Sequence, residues 1–266
     1  MPALGMGTWH MGERARDRTR EIDALRLGLD LGMTLIDTAE MYAEGGAERV
    51  VGEAIAGRRD EVYLVSKVYP HHASRRGVVE ACARSLERLR TDRLDLYLLH
   101  WRGDIPLADT VAGFEALRAD GRIRDWGVSN LDVRDLEALA RVDGGAHCAA
   151  DQVLYHLQCR GIEFDLLPRC RRQGMTVMAY SPFDEGRLLR DRRLRALAAR
   201  LDATPAQVAL AWLLAQPGIA VIPKAGDAAH VRDNGQARTL ALSAAVRAEI
   251  DRDFPPPARA TPLQMI

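Results

Sequence analysis

The segment Gly5–His10 reads GMGTWH, and its reading decides between two folds. It stands at the first strand-to-helix turn of a chain that alternates short apolar runs with longer helical stretches. An open, doubly wound dinucleotide-binding sheet carries GxGxxG at that turn, the glycines serving a tight turn, close approach to a pyrophosphate and close helix packing. Here Gly5 and Gly7 are present, but the third position is His10. The competing solution for repeated strand–helix units is a closed barrel.

Working outward, eight runs read as strands: 3–9, 34–38, 62–68, 94–101, 124–130, 150–155, 176–182 and 219–223. Helical spacing lies between them at 17–32, 75–90, 107–120, 132–142, 163–173, 203–216, 228–235 and 243–252. In 75–90, for example, Val78, Val79, Cys82, Leu86 and Leu89 fall on one face. Asp132, Asp165 and Thr204 are placed as N-caps, the last followed by Pro205, and Gly32, Gly121 and Gly174 mark helix ends. About eight strand–helix units in 266 residues suit a (β/α)8 TIM barrel, whose usual size is about 250. The expectation is one such barrel spanning residues 1–266.

Composition narrows the function. Lys plus Arg and Asp plus Glu are each 37, so the formal net charge is zero. Nucleic acid or an anionic membrane as main partner would favour a basic excess. The cysteines Cys82, Cys148, Cys159 and Cys170 form no CxxC pair. With no signal-like N-terminus and no apolar run near 20 residues, a cytoplasmic protein with free thiols is expected.

A barrel places its chemistry at the C-terminal ends of its strands. Those ends deliver Thr8 and Trp9, Asp37 with Tyr42 beyond it, Lys67, His100 and Trp101, Ser129 and Asn130, Gln152, Tyr180 and Ser181, and Lys224. Tyrosine is a poor acid, with a pKa of about 10. A neighbouring ammonium favours the tyrosinate, an aspartate holds the ammonium charged, and a histidine can orient a carbonyl oxygen. Such a set suits protonation of an oxygen that gains negative charge as hydride reaches its carbon. No side chain donates hydride, so a nicotinamide is required.

GTW, IDTAEMY, SKV, LLHW, WGVSN, DQV, YSP and IPK occur in an order and spacing that resembles the aldo-keto reductases, from residue 3 to about 253. The likeness is to compact bacterial members associated with methylglyoxal and other small aldehydes. The resemblance implies Asp37, Tyr42, Lys67 and His100 as a catalytic tetrad with Tyr42 as proton donor. It implies NADPH, with NADH possible, against Gly7 and Thr8. Ser129, Asn130 and Gln152 would lie on the carboxamide, Tyr180 on the ring, and Ser181 and Phe183 at the pyrophosphate. Lys224, His230, Asp233 and Asn234 would take the adenosine end, while Trp9, Met41 and Trp101 would line the pocket for a small carbonyl substrate. No metal site, nucleic-acid partner or membrane partner is implied, and the expected state is a monomer or weak homo-oligomer.

The chain also departs from that pattern. IPKS followed by an arginine becomes IPKAGDAAHVRDN, so Ala225 lacks a hydroxyl, Asp227 adds a carboxylate, and His230 stands in the arginine's place. Asp184 and Glu185 follow YSP where small residues are common. The chain begins almost at its first strand and ends in a short proline-rich tail, from which an open pocket and loose specificity are expected. Two other readings remain: a nicotinamide-sensing regulatory subunit with slow turnover, and a barrel lyase or isomerase using Lys67 as a Schiff-base amine. His71–His72 reads as a polar loop, since no third ligand has suitable spacing. RDRRLR at 190–195 reads as a solvated helix face.

Overall fold

The computed structural model describes all 266 residues. Eight parallel strands stand in chain order: β1 (Gly5–Gly7), β2 (Leu35–Asp37), β3 (Tyr63–Val68), β4 (Leu94–Leu99), β5 (Ile123–Ser129), β6 (Ala150–Leu154), β7 (Thr176–Tyr180) and β8 (Ile219–Val221). The seam closes where Gly7 N–H donates to Pro223 O at 3.0 Å and Val221 N–H to Ala3 O at 2.8 Å. This explains GMGTWH. A Cβ on Gly5 would meet Leu35 at 2.6 Å, and one on Gly7 would meet the Ile222 carbonyl oxygen at 2.8 Å. These two glycines let β1 approach its neighbours on both sides, which is what closure demands.

Ten α-helices surround the barrel: α1 (Arg18–Asp30), α2 (Gly46–Ala54), α3 (Arg75–Leu89), α4 (Leu107–Ala119), α5 (Val133–Ala140), α6 (Leu166–Arg172), α7 (Arg192–Arg200), α8 (Pro205–Leu214), α9 (Ala228–Gln236) and α10 (Ala244–Asp253). Asp132, Asp165 and Thr204 are N-caps, Asp132 and Thr204 within full capping boxes. Gly32, Gly121 and Gly174 have φ of +79°, +72° and +69° where helices end. α2 is an addition to the sequence reading, because the glycine pair at 45–46 hid its start. α7 occupies the charge run: its arginines mask the spacing of Leu194, Leu197 and Ala198, which are buried.

Two apolar cores result. The larger lies between strands and helices and includes Leu25, Val50, Leu86, Phe114, Trp126 and Trp212. The smaller comprises Leu35, Val65, Leu96, Leu98, Ala150, Met178, Ala220 and Ile222. It is the barrel's own filling, and period-two alternation makes it a guide to the site. Asp37, Lys67, His100, Gln152, Tyr180 and Lys224 each lie two residues beyond one of these inward-facing positions. All six therefore project from the same inner face at the C-terminal mouth.

Candidate active site

Strands leave the ladder earlier than the sequence suggests, and the departures shape the site. β4 stops at Leu99, before His100 and Trp101. β5 ends before Asn130 and β7 before Ser181, residues with φ of +59° and +46°. Non-glycine residues in this region carry strain and persist only where the surroundings fix them, often at functional sites.

Lys67 is the hub. Its Nζ donates to Asp37 Oδ2 at 2.8 Å, Thr38 O at 2.9 Å and Tyr42 Oη at 2.9 Å. Three donors meet three acceptors, so a fully buried ammonium is satisfied. Asp37 Oδ1 accepts from Gln152 Nε2 at 2.7 Å, and Thr8 Oγ1 donates to the Asp37 backbone oxygen at 3.0 Å. Burial disfavours the Lys67 charge, but Asp37 and Tyr42 outweigh it and hold the ammonium above the usual lysine range. Burial also dominates at Tyr42 and pushes its phenol up against the pull of Lys67. Lys67 does favour the tyrosinate as expected, but the dry surroundings outweigh it, and Tyr42 keeps its proton. His100 is pushed down to about 2, first by burial and then by Lys67, so it is a neutral imidazole. Its ring lies 5.7 Å from that of Tyr42, and its Nδ1 is buried without a partner.

The neighbouring wall is polar. Ser129 Oγ donates to Gln152 O at 2.8 Å, Asn130 Nδ2 to Ser129 Oγ at 3.2 Å, and Tyr180 Oη to Asn130 Oδ1 at 2.9 Å. These groups open onto a cavity of about 840 Å³, within the range that holds cofactors and substrates. Every sequence-derived site residue lines it except Lys67, which stands behind Tyr42 and Asp37. Trp9, 39% exposed, meets Tyr42 edge-on at 4.8 Å, and Trp101 packs against His100 at 4.9 Å. Met41 and Phe183 are half-buried in the same lining.

Elsewhere in the lining Lys224 is exposed, while Asn234 is buried. Asp227 caps α9: its Oδ1 accepts the His230 N–H at 3.0 Å, and its Oδ2 lies 2.7 Å from His230 Nδ1. The His230 backbone N–H is the main reason the Asp227 carboxyl stays below the usual range. Asp233 reaches the cavity, yet its carboxylate accepts from Thr204 Oγ1 at 3.0 Å and Gln207 Nε2 at 2.8 Å.

Some lining residues escaped the sequence reading. Thr204, Pro205 and Ala206 at the start of α8 are among them, with Leu189 and Ile266. The Thr204–Pro205 start was legible only as a helix signal. The proline-rich tail also does more than expected: Leu263 packs on the core, Cys159 Sγ donates to Gln264 Oε1 at 3.0 Å, and Ile266 lies against the cavity. His71 and His72 hold no metal-like set, and no cluster of three or more His, Cys, Asp or Glu could hold an ion. His72 faces Glu40 instead.

Barrel, hub and polar wall define a family. The chain belongs to the aldo/keto reductase family, whose model matches residues 3–252. It is thus an NAD(P)H-dependent oxidoreductase acting on carbonyl and alcohol groups. It is 51% identical over 271 residues to the methylglyoxal reductase YeaE of Escherichia coli, covering 100% of this chain and 95% of that protein. It is 34% identical to a glyoxal reductase of Bacillus subtilis over 91% of this chain and 85% of that one. A crystal structure of an aldo/keto reductase from Klebsiella pneumoniae, in complex with NADP and acetate, superposes with a TM-score of 0.98 at 53% identity, covering 100% of this chain and 96% of the other.

Proposed function

We propose that this protein reduces small aldehydes and ketones, methylglyoxal among them, to alcohols with NADPH, and that Tyr42 is the proton donor. The observation that carries this reading is the buried Lys67 ammonium bonded to both Asp37 and Tyr42. The cavity wall fits a nicotinamide: an amide–hydroxyl set of Ser129, Asn130 and Gln152 stands beside the Tyr180 ring, bounded by the strained Asn130 and Ser181. Ser129, Asn130 and Gln152 would hold its carboxamide, Tyr180 its ring, and the Ser181–Phe183 loop its pyrophosphate. Gly7 and Thr8 would lie alongside, and Lys224, His230, Asp233 and Asn234 would surround the adenosine end. When bound, the reduced nicotinamide supplies a hydride to the carbonyl carbon.

The side chains do the rest. As negative charge gathers on the substrate oxygen, the Tyr42 hydroxyl donates its proton. Lys67 stabilises the tyrosinate left behind, and Asp37 keeps Lys67 charged and in place. Neutral His100 can donate one hydrogen bond to the same oxygen and fix its orientation. The Schiff-base alternative loses ground, because an amine held protonated and out of contact with solvent has no free lone pair for a carbonyl. The names of the Escherichia coli and Bacillus subtilis relatives support dicarbonyl substrates, and the apolar rim of Trp9, Met41 and Trp101 suits small uncharged molecules.

The test is NADPH oxidation with methylglyoxal, glyoxal and simple aldehydes, with NADH run alongside. Carbonyl-dependent NADPH consumption is expected. A protein that oxidises NADPH with none of these, or that borohydride traps as a Lys67 imine, would refute the reading.

A further inference from the structure

Between Asp37 and Tyr42 stands a carboxylate that lines no part of the cavity. Glu40 is 7% exposed. Its Oε1 accepts the Tyr69 backbone N–H at 2.8 Å and lies 3.0 Å from His72 Nδ1. Its Oε2 is 3.7 Å from the Arg84 guanidinium, and its own N–H reaches Lys67 O at 3.4 Å. A buried carboxylate is costly without such partners. Glu40 therefore fastens the segment after β2 to the segment after β3, through side chain and main chain together.

What needs fastening lies just beyond it. Ala43, Glu44 and Gly45 follow Tyr42 with φ of 50°, 51° and 81°. Two consecutive non-glycine residues in the left-handed region cost about 1–2 kcal/mol each. Such a turn persists only when its surroundings over-determine it. On its far side the turn packs at Gly45 so closely on the Arg88 side chain that a Cβ there would clash. Arg88 in turn pairs with buried Glu48 at 2.5 Å. On its near side the fastening is Glu40, and Tyr42 sits between the two anchors. The same carboxylate reaches the pocket wall through Tyr69, whose ring meets Trp101 edge-on at 5.9 Å, and Trp101 packs on His100.

We propose that Glu40 is a positioning residue for the reduction: by accepting the Tyr69 N–H it holds Tyr42 and the Trp101 wall in register, and the reach of its side chain matters more than its charge. This rests on the reading of Tyr42 as proton donor. Displacing a reacting group by about 1 Å can cost up to 10²-fold in rate. The Glu40 side chain touches neither the reacting side chains nor the cavity.

Three substitutions test it, read as kcat and KM for methylglyoxal, NADPH Kd by fluorescence, and Tm. Glu40→Ala is expected to lower kcat by about 10-fold or more while NADPH Kd stays within about twofold. Glu40→Gln keeps an acceptor at the same reach and should restore kcat to within about threefold. Glu40→Asp keeps the charge but falls one methylene short, so its kcat should fall like that of the alanine variant. The last two decide the matter even if Glu40→Ala fails to fold. An aspartate variant at wild-type kcat, a glutamine variant as slow as the aspartate one, or a loss confined to Tm or to NADPH Kd overturns the proposal. A wild-type protein that reduces no carbonyl sinks the functional reading and this one with it. An active wild type with unresponsive variants sinks this one alone.

Discussion

Lys67 stands behind the cavity wall, at its inner end, and Lys224 on the exposed lining, its outer end; their surroundings are opposite. Lys67 is fully buried, with every donor fixed on a named oxygen. Lys224 stands in solvent, and the nearby His230–Asp227 pair has side chains 73% and 40% exposed. Charges in the dry inner end interact strongly, and the loss of one partner leaves an uncompensated ion. Charges at the outer end are screened, and an exposed pair contributes about 0–1 kcal/mol. The inner end is fixed by buried hydrogen bonds, whereas the charges of the outer end are open to the solution around them.

The strongest way to break this contrast is at Tyr42. Tyr42→Phe removes one hydroxyl from a packed site, so fold and NADPH affinity should persist while kcat drops by about 10²-fold or more. A variant reducing methylglyoxal at the wild-type rate would show that the inner end does not hold the proton donor.

Asp37→Asn comes next. Lys67 would lose its counter-charge, and breaking a buried pair costs about 3–5 kcal/mol in stability. The expected result is a lower Tm and a kcat reduced by about 10-fold or more. The pH dependence has a definite sign. In the native protein the Lys67 pKa is raised above its unfolded value, so its stabilising contribution is present at neutral pH and is lost only above the usual lysine range. Without Asp37 burial should win and lower that pKa, bringing an alkaline loss of activity to lower pH. A variant altered only in KM would mean that Asp37 merely shapes the pocket.

At the outer end effects should be smaller. Asp227→Asn removes a carboxylate that would compete with a 2′-phosphate for His230, and should tighten NADPH by up to about fivefold with NADH nearly unchanged. His230→Arg should do likewise, because a guanidinium can bind a phosphate bidentately. Fluorescence titrations giving parallel curves for both cofactors in all three proteins would leave His230 and Asp227 without this role.

The smallest expected effect is a null result at His100. Its proton uptake is displaced to about 2, so it should impose no inflection on kcat between about pH 5 and 8. A kinetic pKa near 6.5 that disappears in His100→Asn would show the inner end to be wetter than its burial suggests.

The sequence exposed this inner end far better than the outer one, for a physical reason. All eight strands were legible because barrel strands have short β-type runs with fixed spacing, and inward-pointing polar residues at their ends violate the apolar pattern. Asp37, Lys67 and His100 stand out in that way. Pairings that depend on loop paths left no such mark. Neither the Glu40 contact with Tyr69 nor the tie from Thr204 to Asp233 follows from any local period. The net direction of the Tyr42 shift needed three-dimensional burial, since the sequence named the neighbouring lysine but not the dryness of the site.

The difference between the two lysines has a practical consequence. They are the only lysines among 37 basic residues of the Lys and Arg type. Amine-directed reagents such as acylating esters or formaldehyde with a mild reductant need an accessible, neutral amine. Lys67 offers neither access nor a lone pair, so Lys224 is the one side-chain amine open to them, and it lies on the cavity wall. Mass-spectrometric labelling of this single residue therefore becomes an occupancy meter, in which a cofactor lying over Lys224 would slow the modification in proportion to the fraction of sites filled.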